Sequence, residues 1–300
     1  MKKLLSKHDA CILLVLAVCS ALLLMIPPPQ LLAAQSGLRA RAKVLEVDDS
    51  NLAHHDLLLF GSQHLKVQIL HGKYKGQIFE ANNELRAQLE LDKVFQPGDI
   101  AIVVCPEGEL TEKSVLTARD HSRMGWTITL FSAFCLLLCL FGGWTGFNAL
   151  LSFVFSCLVI WKAVIPLTLR GYSASWIIFA SVVLLTAVIM YLVAGWNKRG
   201  LVAFLGAISG VFVGLFTAHF FTWVMNINGA TMPYAQALLF SGYGSLDLQD
   251  IFIGAIVLAS SGAVMDLAMD ISAGVAEVVR HNPSLSRREL FLSGLRMGRA

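Results

Sequence analysis

From Met124 to Trp161 the chain carries no Asp, Glu, Lys, Arg or His, an uncharged run of 38 residues. A helix rises 1.5 Å per residue and hydrocarbon is roughly 30 Å thick, so about 20 residues cross it and this run holds two crossings. The reversal is expected at Gly142-Gly143-Trp144-Thr145-Gly146, where glycine permits a tight turn. Composition agrees: 56% of residues are hydrophobic and 14% charged, with a mean hydropathy of +0.67. An ordinary globular chain carries roughly 25% charged residues. So little charge cannot solvate a fold of this length, which excludes a water-soluble enzyme.

The other apolar runs complete a membrane architecture of about six helices. The first, from Ala10 to Ile26, follows Lys2, Lys3 and Lys7 and stops at Pro27-Pro28-Pro29. It has the length and charge of a signal sequence, but the small-x-small site Ala34-Gln35-Ser36 lies well beyond it, so a retained anchor is expected over a cleaved signal. Residues 1–37 thus read as an anchor, or signal, with a Pro-rich linker. A helix bundle at 124–279 follows, with spans near 125–142, 145–165, 172–196, 200–225 and 250–270. The stretch from Asn226 to Leu246 is uncharged but broken by Asn226, Asn228, Gly229, Pro233, Gly242 and Gly244. A crossing there would export Arg280, Arg287, Arg288, Arg296 and Arg299, against the positive-inside rule. Tyr234 to Phe240 is therefore expected as an interfacial or re-entrant turn of helix, and 280–300 as a basic cytoplasmic segment. Lys162 and Arg170 on the outer side dissent mildly.

Charge is concentrated elsewhere. Residues 39–123 hold 11 of the 23 Lys/Arg and 13 of the 20 Asp/Glu, a net −2. Here apolar residues alternate over short runs, the period of strands. Leu65, Val67 and Ile69 share one face. Gly72 to Gly76 is a turn, Gln77 to Glu80 the returning strand, and Pro97-Gly98-Asp99 the turn before Ile100 to Val104. Residues 38–123 are expected to form a small all-β extracytoplasmic domain, a barrel of the OB or SH3-like kind. Cys105 has no aqueous partner for a disulfide. The other five cysteines lie in apolar runs and read as packing residues.

The order of anchor, β domain with Gly72-x-Tyr74-Lys75-Gly76-Gln77 and Asn82-Asn83, then Pro97-Gly98-Asp99, resembles the YibE/F family of bacterial membrane proteins. So does Gly262-Ala263-Val264-Met265-Asp266, followed by Glu277, Asn282-Pro283, Glu289-Leu290 and Ser293-Gly294. The likeness spans nearly the whole chain. It implies a membrane architecture and no particular activity. Two departures stand out: the family pattern has a small polar residue where Asp270 stands, and it continues past Gly298-Arg299 into further apolar helices, which implies C-terminal truncation here.

The acids of the last span carry the most chemistry. Asp250 and Asp266 bracket 15 uncharged residues, roughly 22 Å of helix, so a full crossing takes Asp266 into hydrocarbon. An acid there usually faces a bundle interior or aqueous cavity. Asp266 and Asp270 share a helix face, with Glu277 near it two turns on. Two adjacent acids in low dielectric do not both ionise cheaply, so the pair is a candidate for proton or cation coupling. The competing reading is a buried structural hydrogen bond or topology anchor, with Arg280 or a lysine neutralising Asp270.

Gly206, Gly210 and Gly214 stack on one face of the preceding span and are expected to admit a close-packed helix. A sliding or gating face is the functional variant. His219, Thr222, Asn226 and Asn228 gather near its outer end, as an outer vestibule for a polar solute or as interface and helix-ending residues. His54-His55-Asp56, His64 and His71 match no zinc spacing and read as solvated, so no metal site is assigned. Lys73, Tyr74 and Lys75 could contact an anionic glycan or lipid headgroup. The net negative β domain argues against nucleic acid.

No phosphate loop, zinc helix or nucleophile elbow is present. An intramembrane aspartyl protease needs acids on facing helices, whereas Asp266 and Asp270 share one. Neither an enzyme nor a cofactor is expected. Two functions remain: a secondary transporter or permease with Asp266 as the coupling site, or a non-catalytic scaffold or sensor whose β domain binds a partner. The expected surroundings are a lipid bilayer, a small solute or ion, and either a second copy of the chain or an extracytoplasmic protein.

Overall fold

The computed structural model describes residues 18–25, 38–56, 58–88, 91–105, 114–194, 197–240 and 242–299. The chain divides into two compact units, Leu31–Phe134 and Cys135–Ala300 with Met1–Gln30.

The first unit contains six strands: β1 (Leu38–Asp48), β2 (Leu52–His55), β3 (Leu58–Ile69), β4 (Ile78–Arg86), β5 (Ile100–Cys105) and β6 (Leu116–His121). Their order is β1-β5-β6-β4-β3-β2, and β1 also pairs with β3. Thus β1, β5, β6, β4 and β3 close into a five-strand barrel, while β2 extends β3 as a hairpin. Every pair is antiparallel except β4 with β6. Register shifts between Val44 and Glu46 on β1 and between Ile102 and Val103 on β5 mark irregularities of the bulge kind, which bend strands toward closure. The alternating residues point inward: Ala42, Val44, Leu65, Val67, Ile69, Ala81, Ala101 and Val103 are all buried. Closure removes the exposed edges of an open sheet.

The barrel has a polar core at one end. Gln63 is fully buried and Asn83 nearly so. Asn83 Nδ2 donates to Gln63 Oε1 at 2.8 Å and to the Lys93 carbonyl at 2.6 Å. Phe95 N–H donates to Gln63 Oε1 at 3.0 Å, and Gln63 Nε2 donates to Asp49 Oδ1 at 2.8 Å. These bonds tie the segment around the buried Phe95 to β3 and β4.

The second unit is helical. It includes α1 (Met124–Val159), whose first turns precede the unit boundary, a π-helical turn (Ile160–Val164), α2 (Ile165–Leu169) and α3 (Ala174–Ala194). Then come α4 (Lys198–Val224), α5 (Ala235–Phe240), α6 (Leu248–His281) and α7 (Arg287–Met297). Helix α1 breaks at Gly143, with φ 52° and ψ −126°. Beyond the break Gly146 lies against α1's own earlier backbone, where a Cβ would collide with the Leu138 carbonyl. The wider π-helical turn accommodates Pro166, which lacks an N–H and crowds the carbonyl four residues back. Val182, Val211, Leu215, Ile253 and Val257 form the central contact of α3, α4 and α6. Cys19 and Leu23, in the helical residues 18–25, pack on Phe155, Val159 and Leu185.

Four helices among the described residues are long and apolar enough to cross a membrane: Met124–Leu169, Ala174–Leu192, Lys198–Val224 and Leu248–His281. The count of six is not shown. Most of the first expected span, with Lys2, Lys3, Lys7, the three prolines and Ala34-Gln35-Ser36, lies outside the described residues. The spans expected near 125–142 and 145–165 form one helical stretch interrupted at Gly143. Helix α5 has six residues, about 9 Å, too short to cross.

Candidate intramembrane acidic face

Helices α4 and α6 pack antiparallel with a fixed register. A Cβ built on Gly206 would stand 3.9 Å from the Ala268 Cβ, and one on Gly210 would stand 2.9 Å from Val264 Cγ1. Gly214 meets nothing within 4 Å, so two of the three glycines admit α6 and the third faces open space. Met265, Ala268 and Met269 complete this contact against Met190, Ala203 and Ala207.

The register assigns depths along the pair. Asp266 lies level with Ile208, ten residues from Lys198, and Asp270 level with Phe204, six residues from it. At 1.5 Å per residue these are about 15 Å and 9 Å along the helix. Asp250 stands at the opposite end, level with Val224. Its Oδ2 accepts from Ser173 Oγ at 2.9 Å and from the Ser175 N–H at 3.3 Å. Asp247 Oδ1 in turn accepts from the Asp250 N–H at 3.1 Å and caps α6.

Asp266 and Asp270 are both exposed on α6, on the side away from Ala268. Among the described residues neither carboxylate has a hydrogen-bond or ion-pair partner. Glu277 is engaged: Arg280 Nη2 donates to its Oε1 at 2.7 Å, and His281 Nε2 lies 3.0 Å from the same oxygen. Arg280 therefore neutralises Glu277, two turns from Asp270, and Glu277 makes no hydrogen bond to the aspartates.

The outer-end polar residues are used locally. His219 Nδ1 is 3.1 Å from the Leu215 carbonyl on its own helix. Asn226 has φ 51°, with its N–H bonded to the Trp223 carbonyl and the Ile227 N–H to that of Thr222. That paired bonding is a Schellman motif, which ends α4 with Asn in the left-handed position. Asn228 Oδ1 accepts from the Ala230 N–H at 3.1 Å. Thr222 is buried. The structure brings these residues to the end of one helix without joining their side chains to one another.

On the barrel, His64 Nδ1 lies 2.8 Å from Asn82 Oδ1 and its Nε2 3.1 Å from Asn51 Nδ2. An Nδ1–H tautomer satisfies both contacts. The side chains of His54 and His55 lie outside the described residues. No group of three His, Cys, Asp or Glu is placed to hold a metal among the described residues. Lys73 Nζ sits 5.5 Å from the Tyr74 ring centroid, and Cys105 is buried in the barrel core.

Sequence reasoning missed Gln63 and the bonds that Asp250 accepts from Ser173 and Ser175. A signal for Asp250 was available: Asp247 and Asp250 have the spacing of a cap and its third helical residue. Gln63 continues the period-2 face of Leu65, Val67 and Ile69, a signal that its polar side chain masks.

A family model described as YibE/F-like protein matches residues 130–300, and one described as YibE/F family N-terminal domain matches residues 39–117. No curated protein and no solved structure matches the chain.

Proposed function

Since the chain belongs to the YibE/F-like family, a premise that fixes its architecture more than its activity, we propose that it is a secondary transporter or permease in which Asp266 exchanges a proton or small cation. The observation that carries this reading is the Asp266 carboxylate, without a partner among the described residues, about 15 Å from the level of Lys198 along the 27-residue α4, half the thickness of roughly 30 Å of hydrocarbon. An ionised acid at that depth costs about 2.5–3.5 kcal/mol on insertion scales. An acid at that depth usually faces a bundle interior or a water-filled path, where a proton or small cation can reach it. The lack of a hydrogen bond to Asp266 among the described residues weighs against a purely structural role.

In this reading the membrane unit makes six crossings. Its N-terminus is cytoplasmic, residues 38–123 lie outside, and the arginines from Arg280 to Arg299 lie inside by the positive-inside rule. The stretch Met124–Leu169 has 46 residues, about 69 Å if straight, over twice the hydrocarbon thickness. The fold-back at Gly143 turns it into two crossings. The barrel's single parallel pair suits the OB kind. A second copy of the chain is proposed to cover the acidic face.

Proteoliposomes with an entrapped pH-sensitive dye test the proposal under imposed sodium, potassium or magnesium gradients. The wild-type chain is expected to move protons faster than protein-free vesicles, and an inserted Asp266→Asn chain to fall to the protein-free rate. Wild-type flux equal to that of empty vesicles, or undiminished flux in Asp266→Asn, overturns it.

A further inference from the structure

A cleft of about 860 Å³ runs between α4 and α6, on a different side of α6 from the two aspartates. Its walls are Val202, Gly206 and Gly210 on α4, and Leu267, Ile271 and Val275 on α6. Ser272 also reaches it, but its hydroxyl already donates to the Met269 carbonyl at 2.9 Å. The wall therefore offers little to a polar solute or a peptide backbone.

One end of the cleft is cationic. Lys198, Arg199 and Arg280 line it there, and neither Lys198 nor Arg199 has a carboxylate partner among the described residues. Arg280 gives one edge to Glu277 and keeps further donors of its five. From Lys198 to Gly210 the cleft is about 18 Å long, close to one leaflet of roughly 15 Å.

We propose that this cleft holds an acyl chain of an anionic phospholipid, with the headgroup phosphate bound by Lys198, Arg199 and Arg280. The fit is one of charge and shape together: hydrocarbon along the glycine-lined wall, and an anion at the only end that offers charge. Basic pockets between membrane helices on the cytoplasmic side take anionic headgroups in this way. Gly206 and Gly210 present no side chain to the cleft, and their missing Cβ atoms let α6 approach α4 along it. The site is independent of proton or cation exchange at Asp266.

Native mass spectrometry of the full chain, with phosphatidylglycerol or phosphatidylcholine added in detergent, tests the assignment. The wild-type chain should retain phosphatidylglycerol over phosphatidylcholine by about tenfold or more. Lys198→Gln/Arg199→Gln/Arg280→Gln should abolish that preference, and Ala276→Phe, which fills the cleft, should lower retention of both lipids. Arg287→Gln/Arg288→Gln removes two arginines that do not line the cleft and should leave the preference intact. Monodispersity on gel filtration checks that each variant is folded. If the triple variant does not fold, Ala276→Phe decides: unchanged retention overturns the site. Equal retention of the two lipids by the wild-type chain, or loss of preference in Arg287→Gln/Arg288→Gln as large as in the triple variant, also overturns it.

Discussion

Gly210 on α4 and Val264 on α6 meet so closely that a Cβ on the glycine would stand 2.9 Å from Val264 Cγ1. The missing side chain sets the spacing and register of the two helices, and that register sets the depth of Asp266. Gly210→Val is expected to force them apart at a cost of about 1–3 kcal/mol, the range for overpacking. Gly214→Ala meets open space and should leave stability nearly unchanged. Thermal melting in detergent separates the two, and equal effects would disprove the packing account.

The Gln63–Asn83 pair makes a parallel prediction for the barrel. Removing one partner leaves a buried polar atom unpaired, at a cost of about 1–3 kcal/mol. Asn83→Ala removes a buried donor from the Lys93 carbonyl and from Gln63 Oε1, which keeps the Phe95 N–H. Hydrogen exchange should accelerate in β3, β4 and the segment around Phe95. Asn82→Ala, whose side chain meets the exposed His64, should change it little.

Much of this architecture was legible because span length and strand alternation are local properties. Leu65, Val67 and Ile69 alternate cleanly and fall in β3 with all three buried. Strand β6 was not legible: Leu116-Thr117-Ala118-Arg119-Asp120-His121 carries three ionisable groups in six residues, and only its pairing with β4 and β5 makes it a strand. The orientation of α6 was hidden for a related reason. Apolar and small residues surround that helix, so no stripe announces which side packs. Contact with Gly206 and Gly210, a property of another helix, decides it and leaves Asp266 on the exposed side. Two turns beyond the aspartates, the Glu277 carboxylate is held by Arg280 and His281, at three and four residues' spacing.

Asp250 joins the starts of two membrane helices. Its carboxylate accepts from Ser173 Oγ and the Ser175 N–H at the start of α3, while its own N–H is capped by Asp247. Asp250→Ala should destabilise the helical unit by about 1–3 kcal/mol, since an N-terminal donor and a hydroxyl lose their acceptor. Ser173→Ala removes one bond and should cost less. Melting of the purified chain reads both, and a silent Asp250→Ala would contradict the clamp.

Helix α7 carries a pH-dependent cap. Hydrogen bonds from the Ser286 hydroxyl and then its N–H hold the Glu289 carboxyl below the ordinary glutamate range. A lowered folded-state pKa means that the stabilisation is complete above the unfolded value and is lost as pH falls through the folded one. Protection of the first-turn amides of α7, measured against their intrinsic exchange rate, should therefore persist at neutral pH and fall only on acidification through that window. Glu289→Gln should remove the dependence. An unchanged acid profile in that variant would show that another group governs the helix.

The depth assigned to Asp266 has a direct consequence for chemical access. In a chain whose native cysteines are replaced, a cysteine at position 266 should resist a charged, membrane-impermeant maleimide from either side, because it lies about 15 Å from the level of Lys198. A cysteine at position 280 lies four residues beyond that level, toward the end of α6, and should react from the cytoplasmic side. If position 266 is protected in vesicles but reacts in detergent at the rate of position 280, lipid alone shields the acid. If it stays protected in detergent, a second copy or another protein segment covers it, and cross-linking through that cysteine should give a dimer. Free reaction at position 266 in intact vesicles would place the acid in bulk water and remove the physical basis for exchange at that site.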